Sequence, residues 1–167
     1  MKLKSEKEIF LILHNIRSLY NVGSIFRTAE AAGIKKIFLT GYTGKPVDRF
    51  GKIRPEIQKT ALGAERNVEW EHCRDIGKLI KKLKTGREVR PPRGGRTSIV
   101  ALEQSSKAID YKKFKPRFPL ALILGNEVRG LSKRILEKCD AIIEIPMKGK
   151  KESLNVSVAA GIALFNF

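Results

Sequence analysis

The sequence predicts an α/β fold, a mostly parallel sheet with helices on both faces, and three observations support it. Short apolar runs recur at 9–13, 37–40, 68–70, 98–102, 120–124 and 141–145. Runs of this length and continuity read as strands buried on both sides. Segments of helix-compatible content lie between them, and such alternation makes the helices crossovers between parallel strands. Finally, a length of 167 residues fits one core, so 1–167 is read as a single domain.

Taken in order, the strand at 9–13 runs into a polar loop. The first helix begins at Asn21, which can cap it, and covers 23–32 with Val22, Ile25, Phe26 and Ala29 as its apolar stripe. Gly33 can end it. Further helices are expected at 55–62, 74–83, 132–138 and 153–167, with Ser132 and Ser153 placed as N-caps of the last two. Residues 86–97, rich in Gly, Pro and Arg, read as a flexible basic loop.

Composition narrows the function. Thirty-four Lys and Arg against 17 Asp and Glu give a net charge of +17. An excess this large in a small domain predicts a polyanionic partner, nucleic acid first. The densest clusters are Lys78, Lys81, Lys82 and Lys84 with the loop arginines, and Lys112, Lys113, Lys115 and Arg117. Solvated charge is the plainer reading of such clusters; their density favours contacts to a phosphate backbone. No apolar run reaches the ~20 residues of a membrane span, and the five apolar residues after the basic N-terminus are too few for a signal peptide. A cytoplasmic protein with no membrane partner is expected. Two cysteines and two histidines, all scattered, exclude a disulfide framework and predict no metal site.

The glycine-rich fingerprints of dinucleotide and P-loop sites are missing. Polar residues gather instead in three segments that follow strands. Residues 14–33 carry Asn21 and Arg27; on the plainest reading Arg27 makes a surface pair with Glu30. Residues 120–131 run a buried strand into Gly125-Asn126-Glu127, beyond a strand's carboxyl end, where ligands of open α/β sheets bind. Residues 141–164 lead a strand through a loop to a helix start near Ser153 and Asn155, where free N–H groups favour an anion.

Together these segments resemble the three motifs of the SpoU (TrmH-like) RNA 2′-O-methyltransferases of the SPOUT superfamily. The resemblance rests on Asn21 with Arg27, on Gly125-Asn126-Glu127, and on Ile145-Pro146-Met147 with Ser153-Leu154-Asn155-Val156-Ser157. It covers almost the whole chain and implies a catalytic-domain-only member. It further implies a C-terminal deep trefoil knot, which general rules on connections would not suggest, and a homodimer with its active site near the interface. The face formed by Val156, Ala159, Ala160, Ala163 and Leu164 suits such packing.

The implied reaction moves a methyl group from S-adenosyl-L-methionine to a ribose 2′-hydroxyl of tRNA or rRNA. Arg27, Asn21, Glu127, Ser153 and Asn155 are the implied catalytic set, and Leu124, Gly125, Asn126, Ile145, Met147, Ser153 and Leu154 the implied cofactor contacts. Arg17, Arg27, Lys82, Arg93, Arg96 and Arg129 are expected on RNA. Whether Arg27 takes the hydroxyl proton or stabilises phosphate and alkoxide charge stays open. Two other readings remain: a non-catalytic RNA-binding or ribosome-assembly module, and a related enzyme methylating a base nitrogen.

Overall fold

The first apolar run folds as β1 (Ile9–His14), and its alternate residues part to opposite faces. Ile9, Leu11 and Leu13 join one apolar cluster, while Phe10 and Ile12 join another. The computed structural model describes residues 7–88 and 95–167. Its remaining strands are β2 (Lys36–Thr40), β3 (Trp70–Cys73), β4 (Ser98–Leu102), β5 (Ile109–Asp110), β6 (Leu120–Leu124) and β7 (Ala141–Glu144). Every pairing between them is parallel, in the order β3-β2-β1-β6-β4-β7-β5. All five residues of β6 are buried. A core Leu or Ile of this kind stabilises by roughly 1.5–3 kcal/mol.

Helices cover both faces, as the sequence predicts. On one side α1 (Leu19–Ala31), α2 (Pro55–Ala61), α3 (Ala64–Asn67) and α6 (Val156–Leu164) pack through Val22, Phe26, Ile57, Ala64 and Ala160. On the other, α4 (Ile76–Lys84) and α5 (Lys133–Leu136) pack through Leu79, Leu83 and Ile135. Among the described residues no helix is long and apolar enough to cross a membrane. No group of three or more His, Cys, Asp or Glu among them is arranged to hold a metal ion.

Several local expectations need correction. The N-cap of α1 is Ser18, whose side chain accepts from Asn21 N at 3.2 Å. The helix thus starts a turn early, where Leu19 packs on the core, and the Asn21 side chain is free for other bonds. Asn155, not Ser153, caps α6 by accepting from Ser157 N at 2.9 Å. The helix can begin only where buried Val156 turns inward, and Ser153 lies too far upstream. The strand expected at 68–70 is β3, Trp70–Cys73, because Val68 closes α3 with its side chain in the core. Short α3 and edge strand β5 have no apolar periodicity and were not expected. Gly33, at φ +69°, does end α1.

Two side-chain expectations also change. Ala160, Ala163, Val156 and Leu164 are buried inside the chain, so that face of α6 is not available to a second subunit. Glu30 accepts from Asn67 at 2.7 Å, and Arg27 makes no ion pair among the described residues. Of the loop expected at 86–97, residues 89–94 lie outside the described residues, and Arg93 with them.

Candidate active site

In an all-parallel sheet every strand delivers its carboxyl end to one edge, and the loops leaving that edge converge. There Leu102, Leu124, Ile145, Met147 and Leu154 help line a cavity of about 340 Å3. Four glutamates share the lining, Glu103, Glu127, Glu144 and Glu152, with no lysine or arginine among its described residues. In a chain of net charge +17 this is a local inversion of sign. An apolar, carboxylate-lined cavity suits a ligand that is part apolar and part cationic.

The turn after β6 forms the cavity's near wall. A Cβ on Gly125 would lie 2.8 Å from the Gly130 carbonyl carbon and 2.7 Å from Leu131 Cγ, so only glycine lets the turn close on itself. Asn126, 8% exposed, uses its whole hydrogen-bonding capacity. Its Nδ2 donates to Asn15 O and to Tyr42 Oη, both at 2.9 Å. Its Oδ1 accepts from Val128 N at 2.9 Å and Arg129 N at 2.8 Å. One buried amide therefore fastens three loops together.

Glu127 faces the β1–α1 loop. Its carboxylate accepts from Arg17 N at 3.0 Å, Ser18 N at 3.1 Å and Asn21 Nδ2 at 3.3 Å. Desolvation pushes its pKa up, but hydrogen bonds from the backbone of Arg17, Glu127 itself and Ser18, and from the Asn21 amide, outweigh it and hold the group below its ordinary value. Asn21 Oδ1 in turn accepts from Asn155 Nδ2 at 3.2 Å. The structure thus joins one residue from each of the three sequence segments, Asn21, Glu127 and Asn155, in a single chain of hydrogen bonds.

The remaining expected residues divide by location. Leu124, Gly125, Asn126, Ile145, Met147, Ser153 and Leu154 all line the cavity. Arg17 and Arg129 are exposed on the adjoining loops. Arg27 is exposed on α1 and is not part of the lining; it follows Asn21 by six residues, on the order of 9 Å along the helix. Lys82 and Arg96 belong to the opposite edge. Lys82 lies in the last turn of α4 and pairs with Glu88 at 3.5 Å. Arg96 precedes β4 and pairs with Asp140 at 2.8 Å.

Sequence reasoning missed Glu103, Asn15 and Tyr42. Glu103 Oε2 accepts from Leu131 N at 2.8 Å and braces the turn from the β4 side. Asn15 sits at φ +56° and accepts from Tyr42 N at 3.0 Å. Its amide donates to His14 Nε2 at 3.2 Å, which leaves His14 Nδ1–H for Thr40 Oγ1 at 2.9 Å. Burial lowers the His14 pKa, in keeping with this neutral tautomer. Glu103 was signalled by its position, directly after an apolar strand, like Glu127 three residues beyond β6.

A model of the SpoU rRNA Methylase family matches residues 8–165. The chain belongs to this family. Among SpoU relatives, YacO of Bacillus subtilis, assigned to the TrmH family of tRNA/rRNA methyltransferases, is 32% identical over 97% of this chain and 59% of its own. An AdoMet-bound rRNA methyltransferase from Sinorhizobium meliloti superposes with TM-score 0.78 and 28% identity, covering 95% of this chain and 55% of the other. The TrmH/SpoU tRNA modifying enzyme of A. aeolicus gives TM-score 0.75 and 28% identity over 98% of this chain and 75% of its own. The chain spans less than two thirds of the length of the curated SpoU relatives it matches.

Proposed function

We propose that this chain is a methyltransferase that carries a methyl group from S-adenosyl-L-methionine to a ribose 2′-hydroxyl of tRNA or rRNA. The observation that carries the reading is the carboxylate-lined cavity with the Glu127–Asn21–Asn155 hydrogen-bond chain on its rim. A sulfonium and an ammonium group fit glutamates, and an adenine ring fits Leu102, Leu124 and Ile145.

When bound, S-adenosyl-L-methionine supplies an activated methyl group. Leu124, Gly125, Ile145, Met147, Ser153 and Leu154 hold it, largely by backbone groups. Asn126, with its side chain fully engaged, contributes by shaping the turn. Glu127 fixes Asn21, and Asn21 with Asn155 positions the incoming ribose. Arg27 holds a flanking phosphate and stabilises negative charge as the ribose oxygen loses its proton, a task suited to a permanently charged guanidinium. Arg17 and Arg129, exposed beside the cavity, take further phosphates. Since Arg27 is outside the cavity lining, the reading includes a homodimer with the site near its interface, and the connections around the cavity are read as the trefoil knot.

The test is incubation of the protein and Arg27→Ala with methyl-labelled S-adenosyl-L-methionine and unmodified tRNA and rRNA, followed by nucleoside analysis. Label is expected in a 2′-O-methylnucleoside, lost in Arg27→Ala while calorimetric cofactor binding persists. Label in a base would move the protein to another branch. Cofactor binding without label on any RNA favours the non-catalytic reading.

A further inference from the structure

The loop between β2 and α2 is not used by the reaction described above, yet it departs from the same edge of the sheet. Residues 41–54 hold four cations, Lys45, Arg49, Lys52 and Arg54, against one acid, Asp48. At their tip Phe50 is 79% exposed, more than any other large apolar side chain among the described residues. Single exposed apolar residues are common on proteins. Three features set this one apart.

First, the tip is a built turn. Val47 and Ile53 form an antiparallel bridge. Asp48 N donates to Lys52 O at 2.8 Å, and Gly51, at φ +78°, donates to Asp48 O at 3.1 Å. The single acid is turned to this task, its Oδ1 accepting from Phe50 N at 2.8 Å and Lys52 N at 3.0 Å. The phenyl ring is therefore presented on an ordered scaffold, which lowers the entropy lost on binding.

Second, the Arg49 guanidinium lies 4.8 Å from the ring centroid. One ring face is backed by a cation, and the high exposure of the residue leaves the rest of the ring to solvent. Third, the root of the loop is tied to the cavity wall. Thr43 Oγ1 donates to Leu13 O at 2.8 Å and accepts from Ile16 N at 3.1 Å, while Tyr42 Oη accepts from the Asn126 amide.

We infer that the 41–54 loop is a base-stacking arm, in which Phe50 stacks on an unpaired base of the RNA while Arg49 and Lys52 contact the phosphates beside it. The inference rests on the RNA substrate proposed above and deepens it: the RNA it binds carries an unpaired base in a loop or bulge within reach of this arm, because paired bases stacked inside a duplex offer no free face. Exposed aromatic rings flanked by cations are how proteins grip unpaired nucleotides without reading sequence. A polar or purely apolar partner would leave the cations or the ring unused.

The test is fluorescence anisotropy with a labelled RNA stem–loop and a labelled blunt duplex of matched phosphate number, using the intact chain, Phe50→Ala, Phe50→Leu and Phe50→Trp. Phe50 is solvent-exposed and touches no core, so the variants should melt like the parent. Removing one stacked base should weaken stem–loop binding by about 5- to 100-fold in the Ala and Leu variants, leave duplex binding unchanged, and be rescued in Trp. Unchanged stem–loop affinity in Phe50→Ala, an equal loss on duplex, or full retention in Phe50→Leu would overturn the stacking arm. Calorimetric binding of S-adenosyl-L-methionine by the intact chain, run alongside, separates the two readings. Its absence removes the methyltransferase assignment without touching the stacking result.

Discussion

Asn126→Ala should loosen three loops in one step, because a single buried amide joins them. Four bonds of 2.8–2.9 Å are lost, two donated to Asn15 O and Tyr42 Oη and two accepted from Val128 and Arg129. At about 0.5–1.5 kcal/mol net each, and with water entering to replace part of them, the expected loss is about 2–4 kcal/mol. For a domain of this size each kcal/mol lowers Tm by roughly 2–4 °C, so melting should fall by roughly 4–16 °C. Cofactor affinity should fall with it, since the same turn walls the cavity.

Asn126→Asp sharpens the test. It keeps an oxygen for the Val128 and Arg129 N–H groups but sets a second, charged oxygen against the Asn15 carbonyl. Protonation restores a donor there, so the folded-state pKa of the new carboxyl is raised. A raised acid pKa gives stability that is present at low pH and lost as pH rises through it. The Asp variant should therefore approach the parent as pH falls, and the Ala variant should not. Melts by circular dichroism across pH, with calorimetry for the cofactor, decide the matter. A loss below about 0.5 kcal/mol in Asn126→Ala, within the scatter of ordinary surface changes, would refute the reasoning and assign the turn's shape to packing of Gly125 on Gly130 alone. So would identical pH profiles for the two variants.

Two further outcomes follow from the same wall. Glu127→Gln should destabilise by about 1 kcal/mol, a modest figure because solvent screens this half-buried group. The Glu127 pKa is lowered in the folded state, so its contribution is complete above the ordinary value of 4.5 and disappears as pH falls through the lowered one; unfolding of parent and variant by urea should therefore converge in acid. Gly125→Ala should cost about 1–3 kcal/mol, because one of the atoms its Cβ meets, at 2.8 Å, is backbone carbon that cannot swing aside; a thermal melt and cofactor titration check it, and an unchanged melt counts against the close turn.

The sheet was legible because its strands are buried on both faces. A strand such as Leu120–Leu124 has to be apolar at every position, and that leaves an unmistakable run. Edge strands escape the rule. β3 is half-buried and reads Trp-Glu-His-Cys, so the apolar run at 68–70 marks only its approach, and β5, two residues long, leaves no run at all. Helix starts were misplaced for a related reason. Ser18, Asn21, Ser153 and Asn155 are all competent caps, and only tertiary packing, the inward turn of Leu19 and Val156, selects among them.

The candidate site was legible residue by residue but not as an object. Asn21, Glu127 and Asn155 stand out as polar residues near strand ends, yet their meeting depends on β6 entering between β1 and β4. The acidic character of the cavity is more deeply hidden. Glu103, Glu127, Glu144 and Glu152 are spread through a chain dominated by lysine and arginine, and no window around any one of them is acidic enough to notice. Convergence of strand ends makes the sign inversion, and it has a functional consequence. Carboxylates inside the cavity repel phosphates, whereas Arg17, Arg129 and Arg49 outside it attract them. On the proposed reading, a polyanionic RNA is then held at the rim while the cationic cofactor is drawn within, so the same +17 chain keeps its two ligands from competing for one cavity.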